Sequence, residues 1–298
     1  GFHLSLRLMT APENLKEFCK ASLAREVPPE ILAMAVVLRL RHPGALAILA
    51  YGSCLRGVAA ADTLMDFYVL TENFSSVSPN IISRVACCLV PPNVYYAETE
   101  LDGQRLRAKY ALLPLRLFAK WMRRDTNNPY FWARFAQPAA LVYVRDDKTK
   151  DSVVASISDA LRTAFANAKA VTAETDALAI WTAGFNATYQ SEFRSEKTNR
   201  AASIVSSAPD YYREAARLLA SETPIHANQT LLRLTGKGWS ILRLVKAAFT
   251  FQGGADYIVW KIERHSGEKI ILTDWQRRHP VMAGLLLLPA LLRKGAIR

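Results

Sequence analysis

The sequence predicts an α/β (α+β) fold: a mixed sheet with helices, followed by a mostly helical C-terminal domain. Three observations predict it. Short apolar, strand-like runs are confined to the first 148 or so of the 298 residues, and Ala-rich helical stretches then run to about residue 250. Within the first of these textures the dipeptide Asp102-Gly103 divides a long strand-like stretch in two, a strong hairpin signal.

The elements follow in order. "TAPENLKEFCKASLA" opens with Thr10 and has Glu13 three residues on, a capping-box pattern that starts a helix. "PPEILAMAVVLRLRHPG" is a helix started by proline and stopped at Pro43-Gly44. "ALAILAYGS" is a buried strand by its length and flanks, and "TLMDFYVL" is the next. "NIISRVACCLV" reads as a helix. "NVYYAETELDGQRLRAKYALL" is two strands around Asp102-Gly103. "LRLFAKWMRR" and "NPYFWARFAQ" are amphipathic helices, and "AALVYVRD" is a further strand. In "SAPDYYREAARLLA" Ser207 is the expected N-cap, with Asp210 three residues on. The expected division is residues 1–150 and 151–298, with the boundary between 147 and 172.

Half of the residues (51%) are hydrophobic and 21% are charged, which excludes a disordered chain. The net charge is +12, with a pI near 9.7. Such a balance favours polyanionic partners: nucleic acid, nucleotides or anionic lipid surfaces. Cys19, Cys54, Cys87 and Cys88 show no zinc spacing and read as buried thiols of a reducing compartment. None of the five histidines makes a metal-ligand spacing with another. No run reaches the ~20 apolar residues that a spanning helix needs. The nearest, "HPVMAGLLLLPALL" at 279–292, has 14 residues and two prolines between basic pairs. From Trp275 to Arg298 there are five Lys or Arg and no acid, so 275–298 is a candidate membrane-surface segment.

The chemistry points to "AILAYGSCLRGVAAADTLMDFYVLTENF", residues 47–74. A strand that ends in Gly52-Ser53 suits a phosphate: glycine admits close backbone approach, and the serine hydroxyl and nearby N–H groups donate. Twelve residues separate Ser53 from Asp66. In a strand Leu64, Asp66, Tyr68 and Leu70 share one face. A carboxylate there is costly unless paired, hydrated or metal-bound. Mg²⁺, which bridges carboxylate and phosphate oxygens, is the natural occupant.

"YGSCLRG" followed by "MDFYVL" resembles the nucleotidyltransferase signature: hydrophobic-Gly-Ser, about ten residues, then Asp-hydrophobic-carboxylate. The second carboxylate position is Tyr68 here. More of the chain is similar to the mitochondrial-type phosphatidate cytidylyltransferases, the translocator assembly and maintenance protein family. "YGS", "MDF", "NVYYAE" and "RAKYALL" carry that likeness over residues 45–145. "VKAAFTFQGGADYIVWK" is a looser echo, with Lys246, Thr250, Gly253, Tyr257 and Lys261 at matching positions. Cys54 stands where that family has its second Gly, and Ala111 where a Gly follows Lys-Tyr.

The resemblance implies a nucleotidyltransferase-like sheet and a Mg²⁺-dependent reaction of CTP with phosphatidic acid, giving CDP-diacylglycerol and pyrophosphate. Asp66 would hold the metal, with Asp66 and Ser53 catalytic. Gly52, Ser53, Lys109 and Lys246 would bind the nucleotide. The protein would be cytoplasmic and peripheral on an anionic membrane surface, with nucleic acid not favoured. Two alternatives stay open: a nucleotidyltransferase with a nucleic-acid or small-molecule acceptor, and a non-catalytic pseudo-nucleotidyltransferase, for which Tyr68 argues. Arg105 and Arg107 share the Lys109 face, as a phosphate wall or a charged edge strand. Glu98 and Glu100 share a face of their strand, and one of them could supply the carboxylate that Tyr68 does not.

Overall fold

The computed structural model describes residues 14–56, 64–126, 128–190, 200–225, 238–239, 242–243, 246 and 273–278. The Thr10–Glu13 capping pattern, Thr250, Gly253, Tyr257, Lys261 and the 279–292 segment lie outside the described residues.

The chain forms two compact units. One gathers Val27–Arg116, Val142–Arg145 and Gly238–Arg298; the other gathers Gly1–Glu26, Leu117–Leu141 and Asp146–Lys237. Residue 150, where the sequence reading divides the chain, lies in the first turns of a helix that runs from Asp147 to Val171.

A five-stranded mixed sheet dominates the first unit. Its strands are β1 (Ala45–Tyr51), β2 (Met65–Thr71), β3 (Asn93–Leu101), β4 (Gln104–Pro114) and β5 (Ala139–Val144), in the order β3-β4-β2-β1-β5. β1 pairs antiparallel with β2, β2 parallel with β4, and β3 antiparallel with β4. β1 and β2 are apolar on both faces and nearly every residue is buried, as central strands require. The β3–β4 hairpin turns at Asp102 (φ 51°) and Gly103 (φ 77°), the two positive values that a type I′ turn needs. β4 is interior over Ala108–Pro114, where it pairs with both β2 and β3, and β3 lies at the edge; Arg105 and Arg107 precede that stretch and, among the described pairings, have β3 alone as neighbour.

Helices α1 (Leu15–Leu23), α2 (Pro29–Arg41) and α3 (Ile81–Leu89) precede the hairpin in the chain. α1 begins at Asn14, whose side chain accepts from the Glu17 N–H at 3.0 Å. Asn80 caps α3 in the same manner. Then come α4 (Leu115–Met122) and α5 (Pro129–Phe135).

The second unit is mostly helical over its described length, with α6 (Asp147–Val171), α7 (Ala177–Gln190), α8 (Arg200–Ser206) and α9 (Pro209–Leu218), and includes the first residues of β5. Its core centres on Trp181, 1% exposed, whose ring lies 5.0 Å from Phe165 and 5.4 Å from Tyr212. The Trp181 indole N–H donates to the Tyr212 carbonyl at 2.9 Å, so its polar edge is satisfied in an apolar setting. α6 and α7 approach closely at Gly184, where a Cβ would lie 2.5 Å from the Ala168 Cβ. The expected cap of α9 is not used. Ala208 occupies the N-cap without a side-chain bond, Pro209 opens the helix, and the Ser207 hydroxyl turns back to donate to the Ile204 carbonyl at 2.7 Å. A five-residue helix, α10 (Asp274–Arg278), completes the described chain. Among the described residues no helix is long and apolar enough to cross a membrane.

Candidate functional site

The site is built where β1 ends. Tyr51 is still extended (φ −153°, ψ 173°), and the chain then coils into one 3-10 turn, Gly52–Leu55. Gly52 has φ +84°, in the left-handed region where a side chain is strained. Space favours glycine as well: a Cβ at position 52 would come 3.3 Å from Asp66 Oδ2, a tight approach, and 3.9 Å from Asp66 Cβ. The Asp66 carboxylate thus lies against the Gly52 backbone. Two elements that are 14 positions apart in sequence meet there because β1 and β2 pair antiparallel, with Tyr51 directly opposite Asp66.

Register extends this meeting into a row. Tyr51, Asp66, Lys109 and Tyr96 are successive partners across β1, β2, β4 and β3. Partners in a ladder present their side chains on the same face. One acid and one base therefore stand side by side between two phenols. Asp66 and Lys109 are half-buried, and Tyr96 is buried. The Ser53 carbonyl closes the turn by accepting from the Arg56 N–H at 3.0 Å.

Cys54 belongs to the same neighbourhood. It is buried, and its thiol donates to the Tyr51 carbonyl at 3.2 Å. Burial pushes the thiol up to about 11, with the nearby Asp66 charge acting in the same direction, so it stays protonated and is a poor nucleophile at neutral pH. Cys19 and Cys87 are buried as expected, whereas Cys88 is exposed.

The next positions along the face decide what else is available. Tyr68 is fully buried, opposite Leu49 and Ala111, with Val94 beyond, and its ring packs 5.4 Å from Tyr51. Glu98 is held by its neighbours: the Tyr96 hydroxyl donates to its Oε1 at 2.6 Å and Arg107 Nε at 3.3 Å. Glu100 stands opposite Arg105. The two arginines of β4 are thus matched by the two glutamates of β3.

Lys246 lies elsewhere. Its ammonium donates to the Val90 carbonyl, to the Pro92 carbonyl at 2.6 Å and to Asn93 Oδ1 at 3.0 Å. Burial lowers its pKa to about 8. Asn93 is aligned with Leu112 and Val69, three residues along from the Asp66 row, which is about 10 Å at ~3.3 Å per residue. Asn93 also alternates with Tyr96 and so projects from the other face. The structure brings Gly52, Ser53, Asp66 and Lys109 together, and holds Lys246 apart on backbone carbonyls.

A magnesium ion fits this arrangement in one form. Mg²⁺ takes one or two carboxylates and completes its shell with phosphates and water. Asp66, beside a glycine that leaves room for a ligand, satisfies the one-carboxylate version. Among the described residues no group of three His, Cys, Asp or Glu side chains is placed to hold a metal ion.

Tyr51, Cys54 and Tyr96 lie within the stretches YGSCLRG and NVYYAE that carry the resemblance, but no role at the site was expected of them. The signal for the two tyrosines was the strand register, which can be read only once the hairpin and the β2–β4 pairing are known.

The fold and site together define a mixed α/β protein with a glycine turn set against a strand carboxylate. The chain matches no protein-family model and no curated protein. Among solved structures it is similar to a nucleotidyltransferase-like protein from Exiguobacterium sibiricum 255-15, at 14% identity and a TM-score of 0.28, over 91% of this chain and 93% of that one. A likeness of that size assigns neither an activity nor site residues.

Proposed function

We propose that this chain binds a Mg²⁺–nucleoside triphosphate at the Gly52-Ser53 turn and catalyses nucleotidyl transfer. The observation that carries the reading is the contact of Asp66 Oδ2 with the space above Gly52, where a Cβ would lie 3.3 Å away. Gly52 and Ser53 seat the triphosphate, Asp66 holds the metal, and Lys109, the next residue in the row, neutralises a phosphate oxygen. When bound, Mg²⁺ would offset charge on the phosphates and the departing pyrophosphate. In the transfer an acceptor oxygen bonds to the α-phosphorus, the bond from that phosphorus to the bridging oxygen breaks, and pyrophosphate leaves. The chain's part is positioning and charge neutralisation.

The finer reading takes CTP as donor and phosphatidic acid as acceptor, on an anionic membrane surface facing the cytoplasm. Its support is the sequence resemblance over 45–145 and the net charge of +12. The test is pyrophosphate release from CTP with Mg²⁺, comparing phosphatidic acid vesicles, RNA and no acceptor. Release that needs the vesicles and disappears in Asp66→Asn is expected. Release that needs RNA would move the acceptor to nucleic acid and sink the lipid reading.

Tyr68 favours a second reading, a protein that binds nucleotide without turning it over. The position where nucleotidyltransferases place a second carboxylate is here fully buried among Leu49, Ala111 and Val94. Mg²⁺-dependent CTP binding, with no pyrophosphate release for any acceptor, would select it.

A further inference from the structure

The opposite face of the sheet carries a second concavity, of about 270 Å³. It is lined by the end of α2 and the turn that follows, by the serine-rich loop after β2, and by Tyr95 and Tyr110. Tyr110 and Tyr95 are register partners one position away from Lys109 and Tyr96, so they project from the face that Asp66 does not use. Among the described residues no carboxylate lines the cavity and one guanidinium, Arg41, does. Burial raises the Tyr110 pKa, and the nearby Arg41 charge opposes that rise. The Tyr110 hydroxyl lies 3.0 Å from His42 Nε2.

The loop is held in place rather than draped. Asn73 Oδ1 accepts from the Ser75 hydroxyl at 2.5 Å, from the Ser76 N–H at 3.1 Å and from the Ser76 hydroxyl at 3.2 Å. The Ser78 hydroxyl accepts from the Asn80 N–H at 3.1 Å and keeps its own proton to donate. The turn after α2 comes so close to this loop that a Cβ on Gly44 would lie 2.8 Å from Ser76 Oγ. An exposed arginine, a tyrosine hydroxyl, a neighbouring imidazole and serine hydroxyls therefore line one small space, with no acid among its described lining residues.

That set matches a tetrahedral oxyanion. An arginine fork pairs with two oxygens of a phosphate, and hydroxyls serve the remaining lone pairs. The volume sits just below the ~300 Å³ at which small-molecule pockets begin, so the group it takes is small. We propose that this pocket binds a phosphomonoester group, independently of the nucleotide site on the other face. Arg41 supplies the charge, Ser78 donates its hydroxyl proton, and Ser76 donates once its hydroxyl turns from Asn73, whose Oδ1 keeps the Ser75 hydroxyl and the Ser76 N–H. The group can belong to a free metabolite or to a lipid headgroup.

The experiment is a calorimetric titration of the full chain with glycerol 3-phosphate at low salt, alongside sedimentation with phosphatidic acid vesicles. The proteins are the wild type, Arg41→Gln, Arg41→Lys, Ser76→Ala and Asp66→Asn, each checked by its urea midpoint. Glycerol 3-phosphate is expected to bind the wild type and to bind Arg41→Gln at least about tenfold more weakly. Arg41→Lys should recover part of that loss, Ser76→Ala should lose several-fold, and Asp66→Asn should bind as the wild type. Binding of vesicles but not of glycerol 3-phosphate, still lost in Arg41→Gln, would assign the same chemistry to a lipid headgroup. No binding of either probe by the wild type would overturn the proposal, as would equal binding by Arg41→Gln and Ser76→Ala.

Discussion

Gly52 and Asp66 depend on each other. The glycine is needed for its positive φ and for the room that it leaves beneath the carboxylate. Gly52→Ala should cost about 1–2 kcal/mol from the left-handed conformation alone, read as a lower urea midpoint at unchanged m-value. The variant should also displace Asp66. His42 gives a pH signature. Burial, helped by the Arg41 charge, lowers its pKa from 6.5 to about 4. Between those values the unfolded chain binds the proton and the folded one does not, so stability rises with pH there. His42 thus favours the neutral fold fully above about pH 6.5, and that contribution disappears as pH falls towards 4. The loss should be on the order of 2 kcal/mol once partial exposure is allowed for. Urea unfolding of the wild type and His42→Gln at pH 7 and pH 4.5 measures it; the variant should lose less over that interval. At this scale the Gly-Ser turn and the half-buried strand Asp were legible, because a strand, a glycine break and a carboxylate in the next strand are local patterns. Lys246 was not: its role depends on carbonyls at Val90 and Pro92, which are distant in sequence.

Most elements were legible from periodicity and punctuation. β1 and β2 are short apolar runs with polar or glycine ends, the hairpin announces itself at Asp102-Gly103, and α2 is bounded by its prolines. The start of α9 was not, since Ser207 offers a cap but Pro209 needs no N–H partner and fixes the first turn one residue later. Charge alternation at Arg105 and Arg107 is the same in an edge strand and in a strand paired with glutamates, and among the described pairings both hold there: the arginines face the β3 glutamates and precede the β2 pairing. Packing between α6 and α7 makes a separate prediction. A Cβ on Gly184 would lie 2.5 Å from the Ala168 Cβ and 3.0 Å from its Cα, both on a helix that cannot give way locally. Overpacking costs about 1–3 kcal/mol, against a helix-propensity gain of about 1 kcal/mol for Gly→Ala. Gly184→Ala should therefore be destabilising overall by roughly 1 kcal/mol in urea unfolding, and adding Ala168→Gly should recover part of the loss. A stabilised Gly184→Ala would show that the two helices separate freely.

Over the whole molecule, the sheet unit carries the acid–base row on one face and the arginine–serine pocket on the other, and the second unit is mostly helical. The division into strand-rich and helical textures was visible in composition, whereas the two faces were not, because they follow from strand order and the parallel β2–β4 pairing. The net charge of +12 suits ligands that bring phosphate to either face. The measurement that tests the central claim most directly is calorimetric binding of CTP, with and without Mg²⁺, to the wild type, Gly52→Ala and Asp66→Asn. The account predicts binding that requires Mg²⁺ and falls by at least about tenfold in both variants while they remain folded. Binding of the same strength without Mg²⁺, or in Asp66→Asn, would contradict it.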